Sequence, residues 1–136
     1  MTARENTAKR FAIFWGVLDC EPQRLINYYK RMPTPRSKIV VYVPLDHAEA
    51  VRLAIGAAGG GRLGKYSYCS FSVRGVGRFK PEEGARPHIG TVGKAEEVEE
   101  ERIEVTCDQT LVGAVVAAIK RVHPYEEVAL DVYKLE

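Results

Sequence analysis

The fold is decided at Ile39-Val-Val-Tyr-Val43, a continuous run of β-branched and aromatic residues that ends at Pro44. Such a run is typical of a strand covered on both faces. Asp46 and Glu49 have the spacing of a capping box, and apolar residues recur behind them at helical spacing. The sequence therefore predicts a strand followed at once by a helix, which ends at the glycines 59–61.

Two further strands, a second helix and a last strand follow by the same reasoning. The residues predicted to face inward are Cys69, Phe71 and Val73 in a strand from Ser67 to Val73, Ile103, Val105 and Cys107 in a strand from Glu101 to Cys107, and Leu111, Val115, Ile119 and Val122 in a helix capped by Asp108. The last strand is predicted from Val128 to Leu135. The order β-α-β-β-α-β predicts an α+β fold, a ferredoxin-like antiparallel sheet with both helices on one face.

One face of such a sheet has no helical cover. A domain of about 100 residues buries only a modest core, so oligomerisation is the simplest way to cover this face and the strand edges. Large side chains are predicted near it at Tyr42, Tyr68, Phe79 and Tyr133. We therefore expect a homo-oligomer.

Charge divides the 136-residue chain in two. The net charge is +2, from 20 Lys and Arg against 18 Asp and Glu, which argues against a general nucleic-acid or membrane-surface binder. Residues 1–37 nevertheless hold seven basic against three acidic side chains, a surplus of +4, whereas residues 38–136 hold 13 against 15, a deficit of −2. We interpret residues 1–37 as a basic extension, poorly ordered or arising from a misassigned start, and residues 38–136 as the domain.

The cysteines and the apolar stretches indicate a cytoplasmic protein. Three cysteines, Cys20, Cys69 and Cys107, are an odd number without CxxC spacing, which fits neither a disulfide framework nor a zinc ribbon. The apolar stretch Phe11 to Leu18 is far shorter than the roughly 20 residues needed to span a bilayer.

Candidate metal ligands are limited to His123 and Glu126, in the segment that follows the second helix. The simpler explanation of a histidine at a helix C-terminus is a cap, and no HxxxH or HExxH spacing occurs. No catalytic residue can be assigned from the residues alone. The cofactor is unknown, with a divalent metal as the candidate.

Four motifs occur in the same order as in one known domain. They are Tyr66-Ser-Tyr-Cys-Ser-Phe71, Gly75-Val-Gly-Arg-Phe-Lys-Pro81, Gly84-Ala-Arg-Pro-His-Ile-Gly90 and His123-Pro-Tyr-Glu-Glu127. Residues 38–136 thereby resemble the YqfO-type domain of the Nif-three-like family, which has the PII-like fold shared with the CutA proteins. The domain also occurs in that family as a free-standing protein.

The resemblance implies a trimer whose ligands bind in clefts between subunits, with a recognition loop at about residues 78–93. The motif positions that it marks as cleft or loop residues are Tyr66, Cys69, Phe79, Pro81, His88, His123, Tyr125 and Glu126. The two-metal site of full-length members lies in flanking halves whose His- and Asp-rich motifs do not occur here, so the resemblance implies no enzymatic activity.

Three functions remain open at the level of sequence. The first is a trimeric PII- or CutA-like module that binds a divalent metal or a small metabolite. The alternative is a module that docks on another protein through the aromatic and basic residues of the extension. The third, a metal-assisted hydrolase, has the least support because no catalytic arrangement is visible.

Overall fold

A computed structural model describes residues 34–136, together with Gln23, Arg24 and Asn27. The predicted extension, residues 1–37, and Cys20 lie almost wholly outside the described residues. Residues Pro35–Glu136 form one compact unit. Its elements are β1 (Arg36–Pro44), α1 (Ala48–Ala57), β2 (Phe71–Phe79), β3 (Glu96–Asp108), α2 (Val112–Val122) and β4 (Leu130–Leu135), with single 3-10 turns at Leu45–His47 and Gln109–Leu111 before the helices.

The four strands form an antiparallel sheet in the order β2-β3-β1-β4. This is the predicted ferredoxin-like arrangement, in which β1 and β2 are separated by β3. The core lies between the sheet and the two helices, with Ile39, Val41 and Val43 of β1 packed against Val51 and Ile55 of α1. The predicted inward face of β3 is confirmed, because Ile103, Val105 and Cys107 are all buried in this core, but the strand begins at Glu96 rather than Glu101.

The strand register separates the two faces of the sheet. Side chains of directly paired residues lie on the same face. Ser72 pairs with the core residue Ile103, whereas Phe71 pairs with Glu104. Phe71 and Val73 therefore lie on the face opposite the helices, where their exposed fractions are 69% and 51%.

The predicted second strand is thus wrong in its bounds and in its burial. The strand begins at Phe71 rather than Ser67 and extends to Phe79, and Cys69 lies in the preceding loop. Alternation did place Phe71 and Val73 on one face, but alternation does not say which face of a sheet the helices cover.

The helix ends differ from prediction at two points and agree with it at one. The Asp46–Glu49 capping box does not form, because Asp46 instead contacts His47 and Glu49 pairs with Arg52. Asp108 does accept a hydrogen bond from the Thr110 N–H at 3.0 Å, as a cap should. Val122 was predicted on the buried stripe of α2 and is instead exposed.

The glycines after α1 end the helix as predicted. Gly59 has φ +93°, and the N–H of Gly60 donates to the carbonyl of Ile55 at 2.9 Å, the Schellman arrangement. Within the described part of the chain, no helix is long and apolar enough to cross a membrane.

Candidate functional site: a cleft at one end of the sheet

A cleft opens at the end of the sheet where β1 and β2 finish and β3 begins. The register pairs Pro44 with Glu100 and Phe79 with Glu96 at this end, and the loop 80–95 leaves from the same place. The segment 123–129, between α2 and β4, forms the opposite wall. The cleft has a volume of about 470 Å³, within the range of small-molecule pockets.

Five of the eight predicted site residues line this cleft. They are Phe79, Pro81, His88, Tyr125 and Glu126. The aromatic rings approach one another: the centroids of Phe79 and Tyr125 are 6.1 Å apart, and those of His88 and Tyr125 are 6.3 Å apart. Residues as far apart in the sequence as Phe79 and Glu126 therefore meet at one site.

His123 lies behind the cleft wall with its ring edge-on to Tyr125, at 5.1 Å between centroids. Its Nε2 is 2.8 Å from the carbonyl oxygen of Tyr42, and its Nδ1 accepts the backbone N–H of Tyr125 at 3.1 Å. These bonds require a neutral ring with the proton on Nε2. Both ring nitrogens are thus used to connect β1 with the segment after α2.

Burial lowers the pKa of His123 below its ordinary value of 6.5, against the opposing effects of the Tyr42 carbonyl and the Glu100 carboxylate. The neutral ring that the hydrogen bonds require is also the form that the surroundings favour.

Glu100 is the site residue that sequence reasoning missed. It is only 8% exposed, and its Oε1 accepts the phenolic O–H of Tyr125 at 3.1 Å. Burial, followed by the charge of Glu100, raises the pKa of Tyr125. Nothing in the sequence sets Glu100 apart from the other acidic residues of the run 96–101. Its carboxylate occupies the space left by a glycine on the next strand.

That glycine is Gly77, on the neighbouring strand β2. A Cβ at Gly77 would overlap the Glu100 carboxylate. The space left by the missing side chain is occupied by the carboxylate, which explains why a glycine is accommodated inside a strand here.

Glu126 holds the loop 80–95 in place. Its Oε1 accepts the backbone N–H of Arg86 at 2.7 Å. The two predicted metal ligands therefore make separate contacts. His123 bonds to backbone groups behind the cleft wall, and Glu126 bonds to the loop in front of it.

Tyr66 and Cys69 lie at the other end of the sheet. Leu63 and Tyr66 form an isolated bridge, and the N–H of Cys69 donates to Gly61 at 2.8 Å. Gly61 in turn donates to Thr106, near the end of β3. Neither residue lines the cleft of its own chain.

His88, which lines the cleft, lies against the ring of His47. Their ring centroids are 5.6 Å apart, and Nδ1 of His47 lies 2.8 Å from the Asp46 carboxylate. Across residues 34–136, however, no three His, Cys, Asp or Glu side chains are grouped closely enough to hold a metal ion.

Comparison with known proteins identifies the domain. The chain is 49% identical over 102 residues to a Bacillus subtilis protein named GTP cyclohydrolase 1 type 2 homolog, covering 75% of this chain and 27% of that protein. A Mycobacterium tuberculosis protein of the same name is 48% identical over 98 residues, covering 72% and 26%. The crystal structure of a Bacillus cereus protein related to NIF3 matches with a TM-score of 0.67 at 48% identity, covering 76% and 26%.

The domain belongs to the Nif-three-like family. The chain spans only about a quarter of the length of the relatives that it matches, 27% and 26% for the two named above. No protein-family model matches the chain.

A second kind of neighbour shares the fold of this Nif-three-like domain. The divalent cation tolerance protein CutA from Archaeoglobus fulgidus superposes with a TM-score of 0.55 at 19% identity, covering 74% of this chain and 84% of CutA. The predicted PII- and CutA-like fold is confirmed.

Proposed function

We propose that residues 38–136 form a trimeric PII- and CutA-like module that binds a small ligand in the cleft beside the loop 80–95. One observation carries the proposal. Motif residues from β2, the loop and the segment after α2 converge on one apolar cleft of about 470 Å³. Convergence of separate motifs on a cavity of this size favours ligand binding over a purely structural role for the motifs.

The trimer is supported by the uncovered face of the sheet. Phe71 and Val73 of β2, and Tyr133 and Leu135 of β4, are exposed apolar or aromatic residues on that face. Exposed apolar side chains on both edge strands are what an interface between copies would bury. A second copy of this chain is the occupant that we propose.

A small organic metabolite fits the cleft better than a divalent metal. A metal bound by His123 would have to displace the Tyr42 carbonyl or the Tyr125 N–H from the ring. Titration of zinc by calorimetry into wild type and His123→Ala tests this alternative. Identical heats would exclude His123 as a ligand.

Native mass spectrometry of protein purified from its own source tests the module as a whole. We expect a mass of about three times the 15.2 kDa chain, with a retained small molecule on at least part of the population. A monomer at micromolar concentration would contradict the trimer. An unliganded trimer that binds no compound from a metabolite extract would contradict the proposal that the cleft binds a small ligand.

We also propose that the domain is separable from the part of the extension that precedes β1, and that it works in the cytoplasm. The compactness of Pro35–Glu136 supports the first part, and the free thiols of Cys69 and Cys107 support the second. A pull-down with the full chain and with residues 34–136 tests the docking alternative. A partner that requires residues 1–33 would favour that alternative.

A further inference from the structure

Glu100 is a buried carboxylate in the wall of the cleft that has no counter-ion among residues 34–136. The residue is 8% exposed, and the neutral phenol of Tyr125 donates a hydrogen bond to it. None of the ion pairs among residues 34–136 includes Glu100. A buried charge with one neutral donor is destabilising unless a cation or further donors reach it.

The nearby basic side chains are already paired with other carboxylates. Arg102 lies two residues along the same face of β3, but its guanidinium bonds to Glu104 at 2.8 Å. Two further cations line the cleft: Arg78 pairs with Glu97 at 2.9 Å and Lys80 pairs with Glu82 at 3.4 Å.

The remaining carboxylates of the lining give the cleft a negative charge. Glu126 accepts only a backbone N–H from the loop, and neither Glu126 nor Glu127 forms an ion pair within the described residues. Together with Glu100 they outnumber the unpaired basic groups of the lining, of which His88 is the only candidate.

The rest of the lining is apolar and aromatic. Its members are Tyr42, Phe79, Pro81, Ala85, Pro87, Ile89, Tyr125 and Ala129. An aromatic and aliphatic wall beside a buried carboxylate is the combination that binds a cationic group attached to an apolar body, through charge, hydrogen bonds and ring faces.

We propose that the cleft binds a small organic cation, an ammonium or guanidinium group on an apolar or aromatic body, with Glu100 as its charge partner. The inference rests on the proposal that the cleft is a small-ligand site. Gly77 leaves the space in which the carboxylate sits, and Tyr125 fixes one of its oxygens, so the other oxygen is the acceptor left for the ligand.

Three probes of matched size test the charge preference: benzylammonium, benzyl alcohol and benzoate, each titrated into the full chain by ligand-observed NMR at pH 7. We expect benzylammonium to bind with a Kd on the order of millimolar, as suits eight heavy atoms. Benzyl alcohol and benzoate should bind at least about tenfold more weakly, since each lacks the charge-assisted hydrogen bond.

Glu100→Gln assigns the preference to this carboxylate, because glutamine keeps the size and an acceptor for Tyr125. Benzylammonium should bind about 10- to 100-fold more weakly to the variant. The matched control is Glu99→Gln, the adjacent exposed residue on the opposite face of β3, which should leave the affinity unchanged.

Gly77→Ala gives a second test should the buried substitution prevent folding. Its Cβ would overlap the Glu100 carboxylate and force it out of place, whereas a Cβ at Gly75, on the same strand and face, meets nothing within 4 Å. Benzylammonium should bind more weakly to Gly77→Ala than to wild type, and its affinity for Gly75→Ala should be unchanged.

The outcomes separate this inference from the proposed function. Equal binding of alcohol and cation, or a cation preference that survives both Glu100→Gln and Gly77→Ala, would overturn the cation assignment and leave the cleft as a ligand site. Failure of all three probes to bind would overturn both. The trimer is decided independently by its mass.

Discussion

His123 shows how one side chain can fix the wall of a site without facing it. Its ring connects the Tyr42 carbonyl in β1 with the Tyr125 N–H after α2. Removing the ring leaves both backbone groups without these partners at a buried position. We therefore assign the residue to positioning Tyr125, which does face the cleft.

We predict that His123→Ala lowers the free energy of unfolding by about 2–4 kcal/mol, since each buried backbone group left unpaired costs about 1–3 kcal/mol. Urea unfolding of the two proteins at pH 8 measures the difference. His47→Ala, whose ring contacts the exposed Asp46, is the control and should change stability by no more than about 0.5 kcal/mol. A loss equal to that of the control would contradict the positioning role.

The lowered pKa of His123 predicts a pH dependence with a definite sign. The unfolded chain takes up a proton near pH 6.5, whereas the folded chain does so only at lower pH. The contribution of His123 to the free energy of unfolding is therefore largest above pH 6.5. It decreases as the pH falls below 6.5 and becomes constant below the pKa of the folded state. Urea unfolding from pH 8 to pH 5 should show a shallower fall for His123→Asn than for wild type.

The raised pKa of Tyr125 predicts that stability changes with pH in the opposite direction in alkali. Because its pKa is raised above the ordinary value of 10, the unfolded chain loses this proton at lower pH than the folded chain does. Stability therefore falls as the pH rises above 10. Absorbance titration at 295 nm should show one tyrosine that ionises after the others in wild type and none such in Tyr125→Phe. Identical curves would contradict burial of the phenol beside Glu100.

At the scale of elements, the loop between α1 and β2 requires a glycine at position 61, whereas α2 does not require one at position 113. Gly61 has φ +73°, and a Cβ there would overlap the backbone of Cys69. Gly113 in α2 has open space around it and ordinary helical backbone.

We predict that Gly61→Ala destabilises the domain by about 2 kcal/mol or more, through the positive φ and the backbone overlap. Gly113→Ala should stabilise it by about 0.5–1 kcal/mol because alanine is the better helix former. Thermal unfolding of both variants beside wild type measures the two effects. If both substitutions destabilise the domain, the backbone φ and the space around each glycine do not decide the effect of adding a methyl group.

The sequence predicts the order of the elements because strand and helix periodicities depend on local residue spacing. It predicts the face of β3 because Ile103 and Val105 alternate with charged residues, which leaves only one face suited to the core. In β2 the same alternation gives the wrong burial, since Phe71 and Val73 face away from the helices. The deciding factor there is a tertiary one: the register pairs Ser72, not Phe71, with the core residue Ile103.

The residues of the site also divide into those that the sequence predicts and those that only the structure shows. The motifs predict Phe79, His88, Tyr125 and Glu126, and the structure brings these into one cleft. Glu100 lies in a run of acidic residues whose members cannot be told apart by sequence. The register pairs Glu100 with Gly75, and Glu99 with Val76 on the opposite face of β3. The Glu100 side chain reaches Tyr125 and the space beside Gly77.

The whole molecule gives a reason for the unexpected burial in β2. β2 is an edge strand that places its apolar residues on the uncovered face, and nothing among residues 34–136 covers them. Phe71 is 69% exposed and Tyr133 on the opposite edge is 52% exposed. Large apolar side chains displayed on both edges of one face favour assembly with further copies of the chain.

We predict that Phe71→Asp dissociates the proposed trimer, because an interface that buries Phe71 would have to bury the new carboxylate without a partner. The domain itself should remain folded, since Phe71 is outside the helix-facing core. Light scattering should give about three times the 15.2 kDa chain mass for wild type and about one chain for the variant at micromolar concentration. Leu53→Asp changes a residue on α1 that is 54% exposed and should leave the mass at three chains. A trimer that persists in Phe71→Asp, with circular dichroism unchanged, would place the interface elsewhere and leave the exposed face of β2 for another partner.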